Sequence, residues 1–173
     1  IGAPAIPVVK PGDKVKVGQL IGKAGGFVSA PIYASVSGTV KKINQAVASS
    51  GRLMQTVVIE SDGEQTLLEE LHPPKLDTMQ DFLDAVRESG LVGLGGAGFP
   101  TVVKLTVKNL EQVKAVIING AECEPYITSD TRTMLDRSQE VLEGARLVQH
   151  FLQVKRVIFA IEDNKPFCLR TYR

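Results

Sequence analysis

Hydrophobic and polar positions along the chain follow two different patterns, one before residue 70 and one after residue 78. In the first part, short β-rich runs alternate with turn sequences at Pro11-Gly12-Asp13, Gly25-Gly26 and Ser50-Gly51. Short strands with frequent turn signals are typical of a small sandwich or barrel. The strands that we expect here are residues 15–17, 19–21, 27–30, 39–43 and 56–60.

The second pattern alternates helix and strand. A continuous apolar run at residues 115–118 predicts a strand that is covered on both faces, and residues 156–161 predict another. Between them, the apolar positions of residues 138–152 recur at helical spacing. Strand, helix and strand together predict a parallel α/β unit with a right-handed crossover.

The junction between the two patterns contains Pro73 and Pro74, which remove backbone donors and disfavour helix at the residue before each. Thr78 is placed to cap a helix that Gly90 then ends. We therefore expect a β module, a linker and an α/β domain at residues 1–70, 71–77 and 78–173.

The most informative segment is the glycine-rich loop at residues 91–101. Its four glycines leave peptide N–H groups unshielded, so the loop can pass close to a flat or phosphorylated ligand. Pro100 suits the first turn of a helix, whose beginning carries a partial positive charge, and Lys104 lies about one turn further on. The segment therefore predicts an anion-binding cradle. The alternative is a glycine-rich hairpin or interdomain turn.

The loop also contains the spacing G-x-G-x-x-G, but the element before it reads as a helix rather than a strand. The dinucleotide-binding fingerprint requires a strand at that place. An ordinary Rossmann turn is therefore not expected.

Two polar stretches, residues 119–124 and 162–165, follow the two predicted strands of the α/β unit. The carboxyl ends of parallel strands meet at one edge of a sheet, and ligands of open α/β proteins favour that edge. We therefore expect both stretches to contribute to a site. The alternative is that they are ordinary charged strand ends.

Composition limits the classes of function. The chain has 173 residues with 20 basic and 19 acidic side chains, so its bulk charge predicts attraction to neither nucleic acid nor membrane. Tryptophan is absent and aromatic residues are few, which leaves no platform for stacking nucleic-acid bases. No apolar run approaches the roughly 20 residues that span a bilayer. No signal peptide is visible and the first residue is Ile, so we expect a fragment that is soluble by itself.

The two cysteines, Cys123 and Cys168, are too few for an iron–sulfur cluster, which usually needs four thiolates. We expect a cytoplasmic setting without a disulfide, and we expect Cys123 to be a small buried residue. His72 and His150 have no second ligand nearby in sequence, so no metal site is expected.

The sequence Gly-Leu-Gly-Gly-Ala-Gly-Phe-Pro-Thr, with Ile-Asn-Gly-Ala-Glu-Cys-Glu-Pro-Tyr after it, resembles the C-type (RnfC) subunits of the Rnf electron transport complex and, less closely, the flavin-binding subunit of respiratory complex I. The resemblance runs from about Gly2 to Pro166. It implies a site for FMN and NAD(H), in which nicotinamide and flavin exchange a hydride without a catalytic side chain. The cofactor-binding residues that it implies are Gly93, Gly95, Gly96, Ala97, Gly98, Phe99, Lys104, Asn119, Glu122, Glu124 and Glu162.

Within this set, the resemblance places Phe99 and Glu124 near the nicotinamide and Lys104 beside the negative charge of the flavin. Ala121 stands where the complex I subunit has Asp. A polar contact to the flavin is therefore missing or is supplied elsewhere.

Residues 11–21 and 37–43 resemble the barrel-sandwich hybrid of biotinyl and lipoyl carrier domains. A carrier needs a lysine at the hairpin tip, which falls near Gly26-Phe27, whereas Lys23 comes several residues early. We therefore expect a structural role for the module. The fold expected for the chain is α/β plus β: a barrel-sandwich hybrid β module followed by a truncated α/β domain like that of the complex I flavin subunit.

Taken together, the resemblance implies a peripheral subunit on the cytoplasmic face of the inner or plasma membrane. Its complex would translocate ions and pass electrons between nicotinamide and iron–sulfur clusters or ferredoxin. The partners would be other subunits of the complex, ferredoxin or flavin-carrying subunits, without nucleic acid. [4Fe–4S] clusters are expected only in a C-terminal region beyond this sequence, so the fragment should not be competent alone. The alternative is a flavin-free scaffold subunit of a related sodium-pumping quinone reductase-type complex.

Overall fold

The computed structural model describes residues 2–48, 51–94 and 97–172. The chain divides into two compact units, Ile1–Thr106 and Val107–Arg173. Within the described residues, the first unit holds six strands and two helices, and the second holds two strands, three helices and one 3-10 turn.

The six strands of the first unit are short except for the last two. They are β1 (Ile6–Pro7), β2 (Lys14–Val15), β3 (Leu20–Lys23), β4 (Ile32–Tyr33), β5 (Gly38–Val47) and β6 (Leu53–Ser61). They form two antiparallel sheets with the orders β1-β3-β4 and β2-β5-β6. Across the described residues, these sheets do not close into a barrel. The predicted β-rich character of this part is therefore confirmed, without a closed barrel.

A small core lies between the two sheets. Val15 and Val40 come from one sheet and Ile21 from the other, and Ala34 completes the buried cluster. These side chains are all less than one tenth exposed. Burial of such aliphatic side chains is the main force that holds two short-stranded sheets together.

The β5–β6 pair forms a ribbon that is longer than the core beneath it. The register runs from Gly38 opposite Ser61 to Val47 opposite Leu53. At the far end, Val47 is 68% exposed and Leu53 is 66% exposed. Strand β2 pairs with β5 only at Gly38 and Thr39, so the distal half of the ribbon projects without support among the described residues.

Helix α1 (Met79–Glu88) begins and ends as the sequence predicts. The hydroxyl of Thr78 accepts a hydrogen bond from the Asp81 N–H, and the Asp81 carboxylate accepts one from the Thr78 N–H, which makes a capping box. Gly90 follows with φ of +69°, and a Cβ there would lie 2.7 Å from the carbonyl oxygen of Pro31. Glycine is therefore required at this helix end by both conformation and space.

The same helix belongs to the compact unit of the β strands, because the hydroxyl of Tyr33 on β4 donates to the carbonyl oxygen of Glu88. The sequence-based domain boundaries divide the chain at residues 71–77 instead. Compact packing units and domains of common ancestry need not coincide, and the boundaries stay a prediction. A second, short helix, α2 (Thr101–Leu105), closes the first unit.

The second unit is a parallel β-α-β arrangement. Its elements are a 3-10 turn (Leu110–Gln112), β7 (Val116–Asn119), α3 (Ser129–Asp136), α4 (Ser138–Leu152), β8 (Val157–Ala160) and α5 (Pro166–Thr171). Strands β7 and β8 pair in parallel, with Val116 opposite Val157 and Asn119 opposite Ala160. This confirms both predicted strands and the helix at residues 138–152.

The two faces of this parallel sheet differ. On one face the ring of Phe159 stacks on Tyr172 of the chain end, with ring centroids 4.6 Å apart. On the other face Ile117 and Ile158, which lie side by side in the register, are 63% and 36% exposed. The sequence predicts strands that are covered on both faces, and the structure covers one of them within this unit.

Three expectations about local structure were wrong. Residues 27–30 form bends rather than a strand, because Ser29 accepts a hydrogen bond from the Gly25 N–H instead of joining a ladder. The two-residue strands β1 and β4 were missed, since two residues show no period. Residues 126–132 read as polar loop, whereas α3 begins within them at Ser129 and buries Met134.

The described part of the chain contains no helix of the length and apolarity that a membrane crossing requires.

Candidate functional site

The glycine-rich loop is closed at its base by backbone hydrogen bonds alone. The N–H of Gly93 donates to the carbonyl oxygen of Phe99 at 2.9 Å, and the N–H of Thr101 donates to that of Leu91 at 2.9 Å. Val92 and Pro100 form an isolated antiparallel bridge between these bonds. The loop is thus a tight hairpin-like excursion whose two ends are fixed.

Within this loop, Leu94 is 95% exposed and Gly98 adopts φ of +58°, a conformation that favours glycine. Gly95 and Gly96, two of the predicted flavin-binding residues, lie outside the described residues. Ala97 and Phe99 lie on the returning arm, where the carbonyl oxygen of Phe99 receives the closing hydrogen bond.

Lys104 lies over the opening of the loop. A Cβ placed on Gly93 would stand 3.6 Å from the Lys104 Nζ, with no other side chain between them within 4 Å. Lys104 is exposed. Within residues 2–48, 51–94 and 97–172, no carboxylate forms an ion pair with it. The structure therefore brings together the glycine backbone and an uncompensated positive charge, as the sequence predicts.

The helix after the loop differs from the expectation. Helix α2 has only five residues, and Pro100 is its N-cap rather than its first helical residue. So short a helix has little cumulative dipole, because the dipole grows by aligned peptide units. Positive charge at this loop comes from Lys104 and not from a helix end.

A groove runs along the outer side of the loop within the first unit. It has a volume of about 470 Å³ and is lined mainly by small or apolar residues of the chain start, of residues 29–33 and of the loop. Val92, Gly98 and Pro100 supply its loop wall, and Met54 of the ribbon supplies another. The loop is therefore open to a ligand on a face that side chains do not fill.

The two polar stretches of the second unit do meet at one edge of the sheet. Asn119 and Ala160 are opposite each other at the ends of β7 and β8, and the Gly120 N–H donates to the carbonyl oxygen of Ala160 at 2.8 Å. The next backbone N–H but one, that of Glu122, donates to Oε2 of Glu162 at 3.3 Å. This confirms that the loops after both strands lie side by side.

Glu122 is the central residue of this edge, and its carboxylate is buried: the side chain is 1% exposed. Its Oε1 accepts from the Asp130 N–H at 2.7 Å. Its Oε2 accepts from the hydroxyl of Thr131 at 2.7 Å and from the Thr131 N–H at 3.3 Å. The carboxylate thereby caps the beginning of α3, where the first N–H groups of a helix have no partner of their own.

Lys165 completes the cluster from the other loop. Its Nζ lies 2.9 Å from Glu122 Oε2 and 3.1 Å from Glu162 Oε2, and its side chain is 13% exposed. We call Glu122, Thr131, Glu162 and Lys165 the acidic latch, since they hold the two loops and α3 together. With two carboxylates and one ammonium, the acidic latch carries one net negative charge.

The acidic latch lowers the pKa of Glu122 from the ordinary 4.5 to about 2. The Thr131 hydroxyl is the largest cause; burial opposes it, and the hydrogen bonds from Lys165 and from the Asp130 and Thr131 N–H groups reinforce it. The pKa of Glu162 is also lowered, chiefly by its hydrogen bond from Lys165. Both carboxylates are therefore ionised at neutral pH.

The remaining predicted residues of this edge face outward. Asn119 is exposed, and its Oδ1 accepts a hydrogen bond from the Ala121 N–H at 3.1 Å. Glu124 is exposed as well. Cys123 is also exposed, so the expectation that it is buried was wrong: it lies on the outward side of the loop that Glu122 anchors. Cys168 is the buried cysteine.

Sequence reasoning missed Thr131 and Lys165 as members of the acidic latch. Lys165 carried a usable signal, because it ends the polar stretch after the second strand. Thr131 lies nine positions after Glu122 and carried none, since the helix that presents its N–H was not predicted. Among the described residues, no group of side chains could hold a metal ion.

Comparison with known proteins agrees with this arrangement. Residues 1–64 match the family model of the RnfC barrel sandwich hybrid domain. Residues 86–173 match that of the Nuo51 FMN-binding domain. The second match covers the glycine-rich loop, Lys104 and the acidic latch in one stretch.

Similar proteins point the same way, and all three are C-type subunits of their complexes. The chain is 45% identical over 169 residues to that of the proton-translocating ferredoxin:NAD(+) oxidoreductase complex of Clostridium ljungdahlii. It is 43% identical over 170 residues to that of the Na(+)-translocating ferredoxin:NAD(+) oxidoreductase complex of Acetobacterium woodii. It is 43% identical over 171 residues to that of the ion-translocating oxidoreductase complex of Rhodobacter capsulatus.

These matches cover 96%, 95% and 96% of the chain but only 37%, 38% and 33% of the respective relatives. The chain thus spans little more than a third of the length of these proteins. With an RnfC barrel sandwich hybrid domain followed by a Nuo51 FMN-binding domain, the chain belongs to the RnfC family. The resemblance seen in the sequence is confirmed.

Proposed function

We propose that the chain is the FMN- and NAD(H)-binding part of a protein that carries electrons in an ion-translocating ferredoxin:NAD oxidoreductase complex. The names of its relatives and the FMN-binding domain family support this role. The protein would act peripherally, on the cytoplasmic face of the membrane that holds the complex. Its partners would be the other subunits and ferredoxin, and iron–sulfur clusters would belong to the part of the relatives that this chain does not match.

The observation that carries the proposal is the pairing of a bare backbone with a free cation at the glycine-rich loop. Any side chain at Gly93 would enter the space between the loop and the Lys104 Nζ. That space suits the phosphate or the flat ring of FMN, because N–H groups and an ammonium can both reach an anion there. The residues that would make this contribution are Gly93, Gly95, Gly96, Ala97, Gly98, Phe99 and Lys104.

The second unit would contribute its polar sheet edge. Asn119 and Glu124 are exposed there, and ligands of open α/β sheets favour the carboxyl ends of strands. Glu122 and Glu162 would act through the acidic latch, by fixing the loop that carries Asn119 and Glu124. When bound, FMN supplies hydride chemistry with a nicotinamide, and the chain's own residues bind and orient the two rings.

A flavin-free scaffold role is the second candidate, and one observation favours it. The Glu122 carboxylate already has four donors within the protein, and Ala121 offers no polar side chain. The loop after β7 therefore has few side-chain groups left for a flavin. In this case the chain would only dock partner subunits.

FMN titration separates the two candidates. We expect the wild-type chain to bind FMN, with quenching of flavin fluorescence. Lys104→Ala should weaken binding about tenfold at low salt, because one charge-assisted contact is lost. The difference from wild type should shrink as ionic strength rises.

The matched control is Lys10→Ala, an exposed lysine of the same unit, which should leave the affinity unchanged. Equal affinity of Lys104→Ala and wild type at every salt concentration would reject the role of Lys104. Absence of FMN binding by the wild-type chain would favour the scaffold.

A further inference from the structure

The three tyrosines of the chain have different surroundings. Tyr33 donates its hydroxyl proton to the carbonyl oxygen of Glu88. Tyr172 donates to the carbonyl oxygen of Met134 at 2.8 Å, and its ring stacks on Phe159. Tyr126 has a relative exposure of 103%, and among the described residues its side chain makes no hydrogen bond or ring contact. Only this tyrosine presents its whole ring to solvent.

The backbone of Tyr126 is also unusual. Its φ is +64°, in the left-handed region that side chains other than those of Gly, Asn and Asp rarely adopt. Two other non-glycine residues in the described part share this feature, Gln65 and Gln153, and Gln153 is the cap that ends α4. At residue 126 a glycine would fit without strain, so the aromatic side chain is present at a conformational cost.

The loop around Tyr126 is anchored on both sides. Before it, Glu122 is fixed by the acidic latch. After it, the Ile127 N–H donates to the carbonyl oxygen of Glu124 at 3.2 Å, and α3 begins at Ser129. The exposed ring therefore stands on a restrained turn beside Glu124, next to the carboxyl end of β7.

We propose that Tyr126 stacks on a planar heteroaromatic ring of the bound ligand and thereby contributes to ligand specificity. This inference rests on the proposed function, which brings a nicotinamide and a flavin to the protein. An aromatic face on a restrained loop binds a flat ring at small entropic cost, since few side-chain torsions remain to be fixed. Nicotinamide and isoalloxazine share this chemistry, and separate titrations distinguish them.

The test compares three variants of residue 126 in the 173-residue chain, each titrated with FMN alone and with NADH alone. Tyr126→Gly and Tyr126→Asn should both raise the thermal midpoint, because both residues tolerate a positive φ. Both should weaken the affinity for the stacked ligand about tenfold, because the ring is lost. Tyr126→Phe keeps the ring and should restore the affinity to within about twofold of wild type.

Gln153→Gly is the matched control for strain. It removes a positive-φ side chain at a helix end far along the chain from the loop, so the thermal midpoint should rise while both affinities stay unchanged. The proposal is overturned if Tyr126→Gly and Tyr126→Asn bind FMN and NADH as wild type does; the exposed ring would then be assigned to a protein contact. If the wild-type chain binds neither ligand, the proposed function fails together with the stacking role.

Discussion

The glycine-rich loop and the loop after β7 are held in place by opposite means. The first is closed by backbone hydrogen bonds at Gly93 and Thr101, and its side chains are absent or point away. The second is anchored by a buried carboxylate and an ammonium from Lys165. The difference teaches that the same family domain can expose its backbone in one loop and consume its charges in another.

This difference changes how the acidic motif is understood. Glu122 and Glu124 are two residues apart and have the same side chain, yet one is buried in the acidic latch and the other is exposed. Direct contact of Glu122 with a flavin stays a prediction. Its observed partners make it first a positioning residue for the loop.

The largest effect is expected from Lys165→Met. This change keeps most of the volume of the side chain but leaves the buried Glu122 carboxylate without its cation, and breaking a buried pair from one side is strongly destabilising. We expect a fall in thermal midpoint of more than about 5 °C. The exposed thiol of Cys123, on the same loop, should react faster with a maleimide as the loop loosens.

Two variants serve as controls for this comparison. Lys165→Arg keeps the charge and should recover part of the stability. Lys155→Met removes an exposed lysine of the same unit and should change neither midpoint nor labelling rate. An unchanged midpoint in Lys165→Met would show that the acidic latch does not hold the loop.

A smaller effect is expected from acid. The pKa of Glu122 is lowered in the folded state from 4.5 to about 2, so its stabilising contribution is complete above pH 4.5 and is lost as the pH falls toward 2. Glu162, whose pKa is also lowered, acts in the same direction. Urea unfolding across this pH range should therefore show stability falling with acid, and Glu122→Gln should make the dependence shallower.

Glu124→Gln, on the same loop but exposed, is the matched variant for the acid experiment. It should reproduce the wild-type dependence on pH. Identical slopes for wild type and Glu122→Gln would contradict the burial of a charged Glu122.

The smallest effects belong to the glycine-rich loop, where two substitutions separate conformation from space. Gly98→Ala meets no atom within 4 Å but must adopt φ of +58°, which should cost about 1 kcal/mol of unfolding free energy. Gly93→Ala places its Cβ in ordinary contact, 3.6 Å from Lys104 Nζ, and should change stability by less than about 0.5 kcal/mol.

On ligand binding the order of these two variants should reverse. Gly93→Ala fills the space beside Lys104 and should weaken FMN binding more than Gly98→Ala does. Chemical denaturation and FMN titration of both variants provide the measurements. Should Gly93→Ala bind FMN as wild type does, the space beside Lys104 is not the binding cradle.

Much of this fold could be predicted from the sequence where patterns are long and local. Helix α4 coincides with the predicted residues 138–152, because fifteen residues give several turns of periodic apolar positions. The cap at Thr78 and the end at Gly90 were also correct, since each depends on neighbours within a few residues. The juxtaposition of the two polar stretches followed from parallel pairing alone.

The rest could not be predicted, because it depends on partners distant in sequence. Glu122 is buried by Thr131 and Lys165, the latter 43 positions away, and no local pattern announces this. Strands β1 and β4 exist because their neighbours hold them, not because of their own composition. The positive φ of Tyr126 contradicts its residue type, and local preferences predict the opposite.

The ribbon of β5 and β6 has a practical consequence for work on the isolated chain. Its ten-residue strand extends roughly 30 Å, and its outer half carries apolar side chains beside backbone groups that no described strand pairs. Bare edges of this kind recruit further strands from other molecules. Concentration, more than temperature, is therefore expected to govern how long a sample stays monodisperse.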